Sequence, residues 1–206
     1  MLKRITDIIF SLIILIILLP FFFIIALFIV LDSHGGIFYK QVRVGKNGHE
    51  FLLFKFRTMY PNSEKQGLLT VGKDERITRM GKFLRKYKID ELPQFFNVLL
   101  GDMSLVGPRP EVPRYVKMYN EEQLKVLSVK PGITDYASLV YYDENKKLSE
   151  AENPEEYYIT TVMPHKLQLS LQYIQQQSFF LDLSILFKTF LRILGIHVPV
   201  KMDVKT

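Results

Sequence analysis

The chain has 206 residues, with 27 Lys and Arg against 21 Asp and Glu and a formal net charge of +6. That length argues for one domain with a real core and a small appendage rather than two full domains. The cationic excess favours phosphate-rich partners, whether nucleic acid, an anionic membrane surface or a phosphorylated substrate, and the absence of cysteine excludes disulfides and thiolate metal sites.

From Ile8 to Leu31 the chain reads IIFSLIILIILLPFFFIIALFIVL, with no charge and with Ser11 and Pro20 as its only interruptions. A straight helix of that length reaches about 36 Å, enough for a hydrocarbon core of roughly 30 Å. A cleaved signal peptide would have a shorter apolar region and a small-residue cleavage site, which does not occur here. Pro20 costs about 3 kcal/mol in an ordinary helix interior, yet membrane helices tolerate such kinks. Lys3 and Arg4 precede the run and Lys40, Arg43 and Lys46 follow it, so both flanks carry the charge that keeps a segment cytoplasmic. The expectation is a re-entrant helix-break-helix over residues 1–34, bent at Pro20, with residues 35–206 forming a domain on one face of the bilayer. A plain kinked span is the alternative.

Beyond Gly36, IFYKQVRVGKNGHEFLLFKFRTM reads as two strands about the turn Gly45–Gly48. Lys55 and Arg57 alternate with Phe54 and Phe56, giving one basic face and one packing face; a solvated hairpin shows the same pattern. Residues 60–75 are polar and turn-rich and read as a mobile loop. From Arg76 to Lys88, Ile77, Met80, Phe83, Leu84 and Tyr87 follow helical spacing and leave Arg79, Lys82 and Lys86 on another face. Asp90 and Glu91 come next, and Pro93 predicts the first position of a second helix, which puts both carboxylates at a helix entrance where phosphate is also attracted. In GDMSLVGPRP, Pro108 and Pro110 restrict the backbone around Arg109, whose planar fork suits bidentate phosphate binding; a rigid surface turn is the bland reading. KPGIT at Lys130–Thr134 is a second rigid turn, and residues 143–156 read as an acidic surface loop. Near the end, SFFLDLSILFKTFLRILG is apolar over most of its circumference, with Ser184, Lys188 and Arg192 as a narrow polar stripe. That pattern suits a helix in the membrane interface with cations toward headgroups, and a core helix competes with it.

Adjacent helical residues face different ways, so Asp90 and Glu91 suit two separate jobs better than a shared-proton dyad. One can attack phosphorus and the other hold a metal. Arg85 and Arg109 nearby would keep a carboxylate ionised and neutralise the phosphate, while Mg²⁺ bridges carboxylate and diphosphate oxygens. Acids among cations thus suit a site that handles phosphate, although such a pair is also common in surface ion-pair networks. A phosphate loop, a dinucleotide fingerprint and a zinc-protease motif are all missing, and His34, His49, His165 and His197 lack ligand spacing. A nucleic-acid role would use the charge but leave the lipid-seeking segments unexplained. A non-catalytic scaffold that binds anionic lipid or phosphorylated partners is the alternative from another class.

Taken together, the Pro-broken apolar helix, QVRVGKNGHEFLLFKFRTM, LRKYKIDELPQFFNVLLGDMSLVGPRP, KPGIT and SFFLDLSILFKTF resemble the bacterial sugar transferases, specifically the small monotopic phosphoglycosyl transferases, over nearly the whole chain. The resemblance implies transfer of a phosphosugar from a UDP-sugar to polyprenol (undecaprenyl) phosphate at the cytoplasmic face of the bacterial inner membrane, with release of UMP. It implies Asp90 as nucleophile through a covalent phosphosugar intermediate, Glu91 assisting with Mg²⁺ or proton handling, and Arg109 gripping phosphate, with Lys55, Arg57 and Arg85 as further basic positions. It also implies an α+β, mostly helical architecture of re-entrant helix, small β-hairpin and interfacial helices in contact with membrane lipid, with no nucleic-acid partner and homo-oligomerisation left open. This sequence departs from the family in three places. Leu19 stands where a serine often precedes the proline; Asp135, Tyr136, Ala137 and Ser138 replace Gly-Trp-Ala-Gln; and Ser170 stands at a position that is commonly acidic. Neither the donor sugar nor the pathway is legible in these residues.

Overall fold

In the computed structural model, which describes residues 2–63, 67, 69–196 and 198–199, helix α1 (Leu2–Asp32) is one 31-residue element with Pro20 inside it. The expected break into two helices is not seen. Leu15 and Phe22, on either side of the proline, both pack on the body and carry the helix past the lost hydrogen bond. The buried residues of α1 are Asp7, Ser11, Leu15, Phe22 and Ile29, spaced four or seven apart, which makes a single stripe along the helix. The other faces are bare hydrocarbon, including Ile16, Phe21, Phe23 and Leu31.

Both ends of α1 are tied to the same body by polar contacts. At one end Lys3 pairs with Asp182, Arg4 donates to the Val98 and Leu99 carbonyls at 2.5 and 3.0 Å, and Asp7 accepts from the Leu105 N–H at 3.1 Å. At the other end Asp32 accepts from the Met80 N–H at 2.8 Å. There too Arg57 donates to Ser33 Oγ and O, at 2.6 and 2.7 Å.

Strands β1 (Phe38–Val44) and β2 (Glu50–Phe56) form the antiparallel hairpin read from the sequence, with Phe38 opposite Phe56 and Val44 opposite Glu50. The turn uses Asn47 and Gly48 at φ 57 and 77, the left-handed region that short polar residues and glycine tolerate. The segment after it is tied down where it is described, contrary to the mobile loop expected. Arg76 donates to the carbonyls of Gly67 and Leu69, both at 2.7 Å, and to Asp74, and Asn145 Oδ1 accepts from the Gly72 N–H at 2.7 Å. Helix α2 (Arg79–Lys86) starts where Thr78 caps it, its side chain accepting from the Gly81 N–H. Its Leu84 is buried, but Phe83 and Tyr87 face outward, so the packing face is narrower than the periodicity indicated.

A 3₁₀ turn (Ile89–Glu91) and α3 (Gln94–Leu100) follow. Strand β3 (Ser104–Val106) pairs in parallel with β4 (Gly132–Thr134), a second small sheet. Short helices α4 (Pro113–Val116) and α5 (Glu121–Leu124) bridge between them. After β4 come α6 (Tyr136–Val140), α7 (Glu144–Ser149), α8 (Pro154–Tyr157), a π-helical turn (Tyr158–Val162), α9 (Met163–Gln176) and α10 (Phe179–Ile193). The acidic stretch expected as a loop is therefore largely helical. Leu148 is buried, Asn153 caps α8 by accepting from the Glu156 N–H, and Pro154 occupies the first turn. The fold is mostly helical with two small sheets, as the α+β reading required.

Helix α10 exposes Phe179, Phe180, Leu183, Phe187 and Phe190 and buries Asp182 and Ile185. Two of its cations, expected to point toward headgroups, lie near rings of the body. Lys188 lies 5.8 Å from the ring centre of Tyr136 and Arg192 lies 5.1 Å from that of Tyr142, because the aromatic body competes for them.

The two rigid turns of the sequence close on one another. Gly107 donates to the Thr134 carbonyl and Gly132 to the Pro108 carbonyl at 3.1 and 3.0 Å. A Cβ on Gly132 would sit 2.1 Å from the Gly107 nitrogen, so neither backbone can withdraw without breaking these bonds. Gly132→Ala is expected to cost about 3 kcal/mol, the upper range for overpacking a closed site. Denaturant unfolding of the detergent-solubilised chain measures it.

Candidate active site

Lys88 adopts the left-handed conformation at φ 57, which ends the run from α2 and starts the 3₁₀ turn. That turn sends Asp90 and Glu91 in different directions, as adjacent residues of a helical turn must go. Pro93 sits at the cap of α3 rather than inside its first turn. The expectation of phosphate attraction at this entrance does not hold. Helix α3 has seven residues, and the N–H groups of Phe95 and Phe96 already reach the carbonyls of Leu92 and Pro93. The charge at this site comes from side chains.

Glu91 takes two cations. Lys55 Nζ lies 2.9 Å from Glu91 Oε1, while Arg109 grips the carboxylate with both fork nitrogens, Nη2 on Oε1 and Nη1 on Oε2 at 3.2 Å. Burial pushes the Glu91 carboxyl up, but Arg109 and Lys55 outweigh it and hold the group well below the usual carboxylate range. Lys55 is lowered by burial, which Glu91 only partly offsets. The Arg109 guanidinium is held charged by Glu91.

Asp90 differs in every respect. It is buried, and its Oδ1 has no hydrogen-bond partner among the described residues. Burial raises its pKa above the ordinary aspartate value, with Lys55 opposing the rise, Glu91 adding to it and Arg85 opposing it more weakly. The guanidinium groups therefore do not cradle Asp90 as expected: Arg109 is spent on Glu91, and Arg85 donates to Thr58 Oγ1 and Thr70 Oγ1 at 2.9 and 3.0 Å. Arg57 is outside the site altogether. Its buried guanidinium clamps Gly36 and Ser33, and it does not line the cleft that holds the others.

Two supports were not legible beforehand. Asn97, fully buried in α3, donates to the Leu52 carbonyl at 2.7 Å and accepts from the Phe54 N–H at 3.0 Å, which fixes β2 against the 3₁₀ turn and sets Lys55 beside Glu91. Asp135 is buried beneath Arg109, accepting from the backbone N–H groups of Arg109 and Ser138 at 3.3 and 2.7 Å and from Ser170 Oγ at 3.5 Å. Two of the family departures, Asp135 and Ser170, thus lie against one another.

Lys55, Arg85, Asp90, Glu91 and Arg109 line one cleft of about 1300 Å³. A single small-molecule site takes roughly 300–1,000 Å³, so the space exceeds that of one ordinary ligand. Its far walls come from the segment 67–73 and from α6, α7, α9 and α10. His165 meets the cleft residue Tyr141 through Nδ1 at 2.7 Å, His34 and His49 are exposed, and His197 lies outside the described residues. Among the described residues no group of three acidic or histidine side chains could hold a metal by itself. The orphaned Asp90 oxygen fits one carboxylate ligand of an ion that takes its remaining ligands from phosphate and water, as Mg²⁺ does. Both Glu91 oxygens are occupied by Arg109 and Lys55.

The chain thus combines one helix long and apolar enough to cross a membrane with a cleft lined by Lys55, Arg85 and Arg109 and by an aspartate whose buried Oδ1 has no hydrogen-bond partner among the described residues. The chain belongs to the bacterial sugar transferase family, whose profile matches residues 1–195. It is 39% identical over 196 residues to a UDP-N-acetylgalactosamine-undecaprenyl-phosphate N-acetylgalactosaminephosphotransferase of Aeromonas hydrophila, covering 93% of this chain and 43% of that protein. It is 38% identical over 199 residues to a UDP-glucose:undecaprenyl-phosphate glucose-1-phosphate transferase of Xanthomonas campestris pv. campestris, covering 94% of this chain and 39% of that protein. It is 40% identical over 158 residues to the uncharacterized sugar transferase EpsL of Bacillus subtilis, covering 77% of this chain and 70% of that protein. The chain spans less than half the length of the first two relatives.

The two carboxylates are expected to respond oppositely to neutralisation. Glu91→Gln leaves Lys55 and Arg109 without their counter-charge and should cost about 2 kcal/mol, the scale of a lost charged hydrogen bond. Because Asp90 has a raised pKa in the folded chain, its contribution to stability is greatest below the unfolded aspartate pKa and falls as pH rises toward the folded value. Asp90→Asn should remove that fall and melt no lower than the parent at neutral pH. Thermal unfolding of both variants at several pH values reads the contrast.

Proposed function

We propose that the chain is a phosphoglycosyl transferase that moves a phosphosugar from a UDP-sugar to polyprenol phosphate. The observation that carries this reading is the Asp90 oxygen that has no hydrogen-bond partner among the described residues and lies in a cationic cleft of about 1300 Å³. Leaving a buried carboxylate bare costs free energy, and a surface scaffold that binds anionic lipid has no use for it.

In the first step an Asp90 oxygen attacks the sugar-linked phosphorus of the donor. A bond forms between that oxygen and phosphorus, the bond from phosphorus to the bridging oxygen breaks, and UMP departs with the electron pair. The carboxylate becomes an acyl phosphate that carries the sugar. In the second step a phosphate oxygen of the acceptor attacks the same phosphorus. The aspartyl oxygen leaves, Asp90 is restored as carboxylate, and the product is a polyprenyl-diphosphate sugar. An attacking oxygen with no hydrogen-bond partner among the described residues has no protein donor to release before it attacks.

Arg109 and Lys55 bear the charge that develops on the phosphate, with Glu91 holding both in place until substrate arrives. Arg85 extends the cationic wall from the other side. Mg²⁺ held by Asp90 and substrate phosphate would neutralise part of the diphosphate charge.

The one-sided attachment of α1 supports a monotopic placement. A helix crossing the bilayer would carry either Lys3 and Arg4 or Asp32 and Ser33 to the far face, whereas both pairs engage one body. In this reading α1 lies against the body with its exposed hydrocarbon in the bilayer, the active site faces the cytoplasm, and a re-entrant bend at Pro20 is a matter of degree. Cysteines introduced at Lys3 and Lys40 are expected to label from the same side in oriented vesicles; labelling from opposite sides sinks the placement.

Purified chain with Mg²⁺ and a panel of UDP-sugars should release UMP, and the parent chain should carry a phosphosugar adduct by mass spectrometry. Asp90→Asn should abolish both, and retained turnover in that variant would falsify the covalent step. The acidic limb of kcat/KM should lie above the ordinary aspartate range, because the attacking group must first ionise. Lys55→Met removes the strongest opposing charge, which makes ionisation harder and should move that limb to higher pH.

A further inference from the structure

Two exposed aromatic residues stand at the rim of the cleft: Tyr87, just past α2, and Phe190 in α10, with exposures of 40% and 57%. Each is closely followed by a cation that also lines the cleft, Lys88 directly after Tyr87 and Arg192 two residues beyond Phe190. One ring gathers both cations. Lys88 Nζ lies 5.7 Å and Arg192 Cζ 5.1 Å from the centre of Tyr142, itself a cleft residue. Stacking on a ring orients a cation while keeping its charge.

This corner adjoins the Lys55–Glu91–Arg109 set: Lys88 precedes Asp90 by only two residues, and its charge acts on both Asp90 and Glu91. It is also where the cleft meets hydrocarbon-seeking surface, since the outer face of α10 exposes Phe180 at 79% and Phe187 at 61%. A molecule with a long apolar tail and a phosphate head would lay the tail along these aromatics and turn the head inward. A nucleotide base can stack on one such ring, but it has no long tail to lie along the rest of this apolar face.

We propose that the gap between Tyr87 and Phe190 admits the lipid-phosphate acceptor, and that Lys88 and Arg192, aligned by Tyr142, bind its phosphate as it approaches Asp90. The inference rests on the two-step reaction proposed above, and it divides the cleft, with the donor diphosphate on Arg109 and Lys55 and the acceptor phosphate at the α10 side.

The test measures the two half-reactions separately on the full chain in detergent micelles. With UDP-sugar alone, Arg192→Gln should form the Asp90 adduct and release stoichiometric UMP within about twofold of the parent rate. With undecaprenyl phosphate added in mixed micelles, its acceptor KM should rise about tenfold or more, the scale of one lost charge-assisted phosphate contact. Arg192→Lys, which keeps the charge and loses the fork, should fall between, and it supplies the same comparison if the glutamine variant does not fold. Equal loss in both half-reactions overturns the inference. So does an unchanged acceptor KM, including the case in which Arg192→Gln only weakens binding to phosphatidylglycerol vesicles and thereby marks a general headgroup contact. Absence of any adduct in the parent chain brings down the two-step reading itself, and this inference with it.

Discussion

Everything at the site follows from how Glu91 distributes charge. One carboxylate holds Lys55 and Arg109 at once, and the neighbouring carboxylate is left with a buried oxygen that no described residue satisfies. Burial acts on both acids, but only Glu91 has enough positive charge in contact to overcome it. Two adjacent residues of the same chemical kind are therefore driven to opposite protonation behaviour, the separation that lets one act as a chemical participant and the other as an electrostatic fixture. Had both cations turned to Asp90, its carboxylate would be masked and Glu91 would carry the burial penalty.

The scaffold exists to keep that asymmetry. The hairpin brings Lys55 in from one direction, and Asn97 pins the strand that carries it. The paired glycines at 107 and 132 bring Arg109 from another, with Asp135 bonded to the Arg109 backbone so that only the side chain is left to move. Each support acts on the acids through Lys55 or Arg109, which is why modest elements suffice: a seven-residue helix and two three-residue strands.

Much of this was readable in the sequence where local chemistry dictates local structure. The hairpin, its turn and the apolar helix all follow from spacing and residue type. What was not readable depends on where an element ends or what it meets. Lys55 and Arg57 look alike in the alternating pattern, yet β2 stops at Phe56 and Arg57 turns to Ser33 while Lys55 enters the cleft. The helices between residues 144 and 157 hid within acidic residues because they are short and one of them buries only Leu148. The inward turn of Lys188 and Arg192 depends on Tyr136 and Tyr142, which come from a distant stretch. The partnership of Asp135 with Ser170 is likewise a tertiary fact that neither position announces.

The lengthwise docking of α1 bears on how the protein meets bilayers of different composition. A helix with one end in each aqueous phase must match the hydrocarbon width, and it tilts or distorts the lipid when it does not. In the monotopic placement proposed above, a helix riveted at both ends to one body has no second water boundary to reach. Its immersion would then be set by the outline of its greasy flank, and Asp90 would keep a constant height above the acyl chains in thin and thick membranes alike.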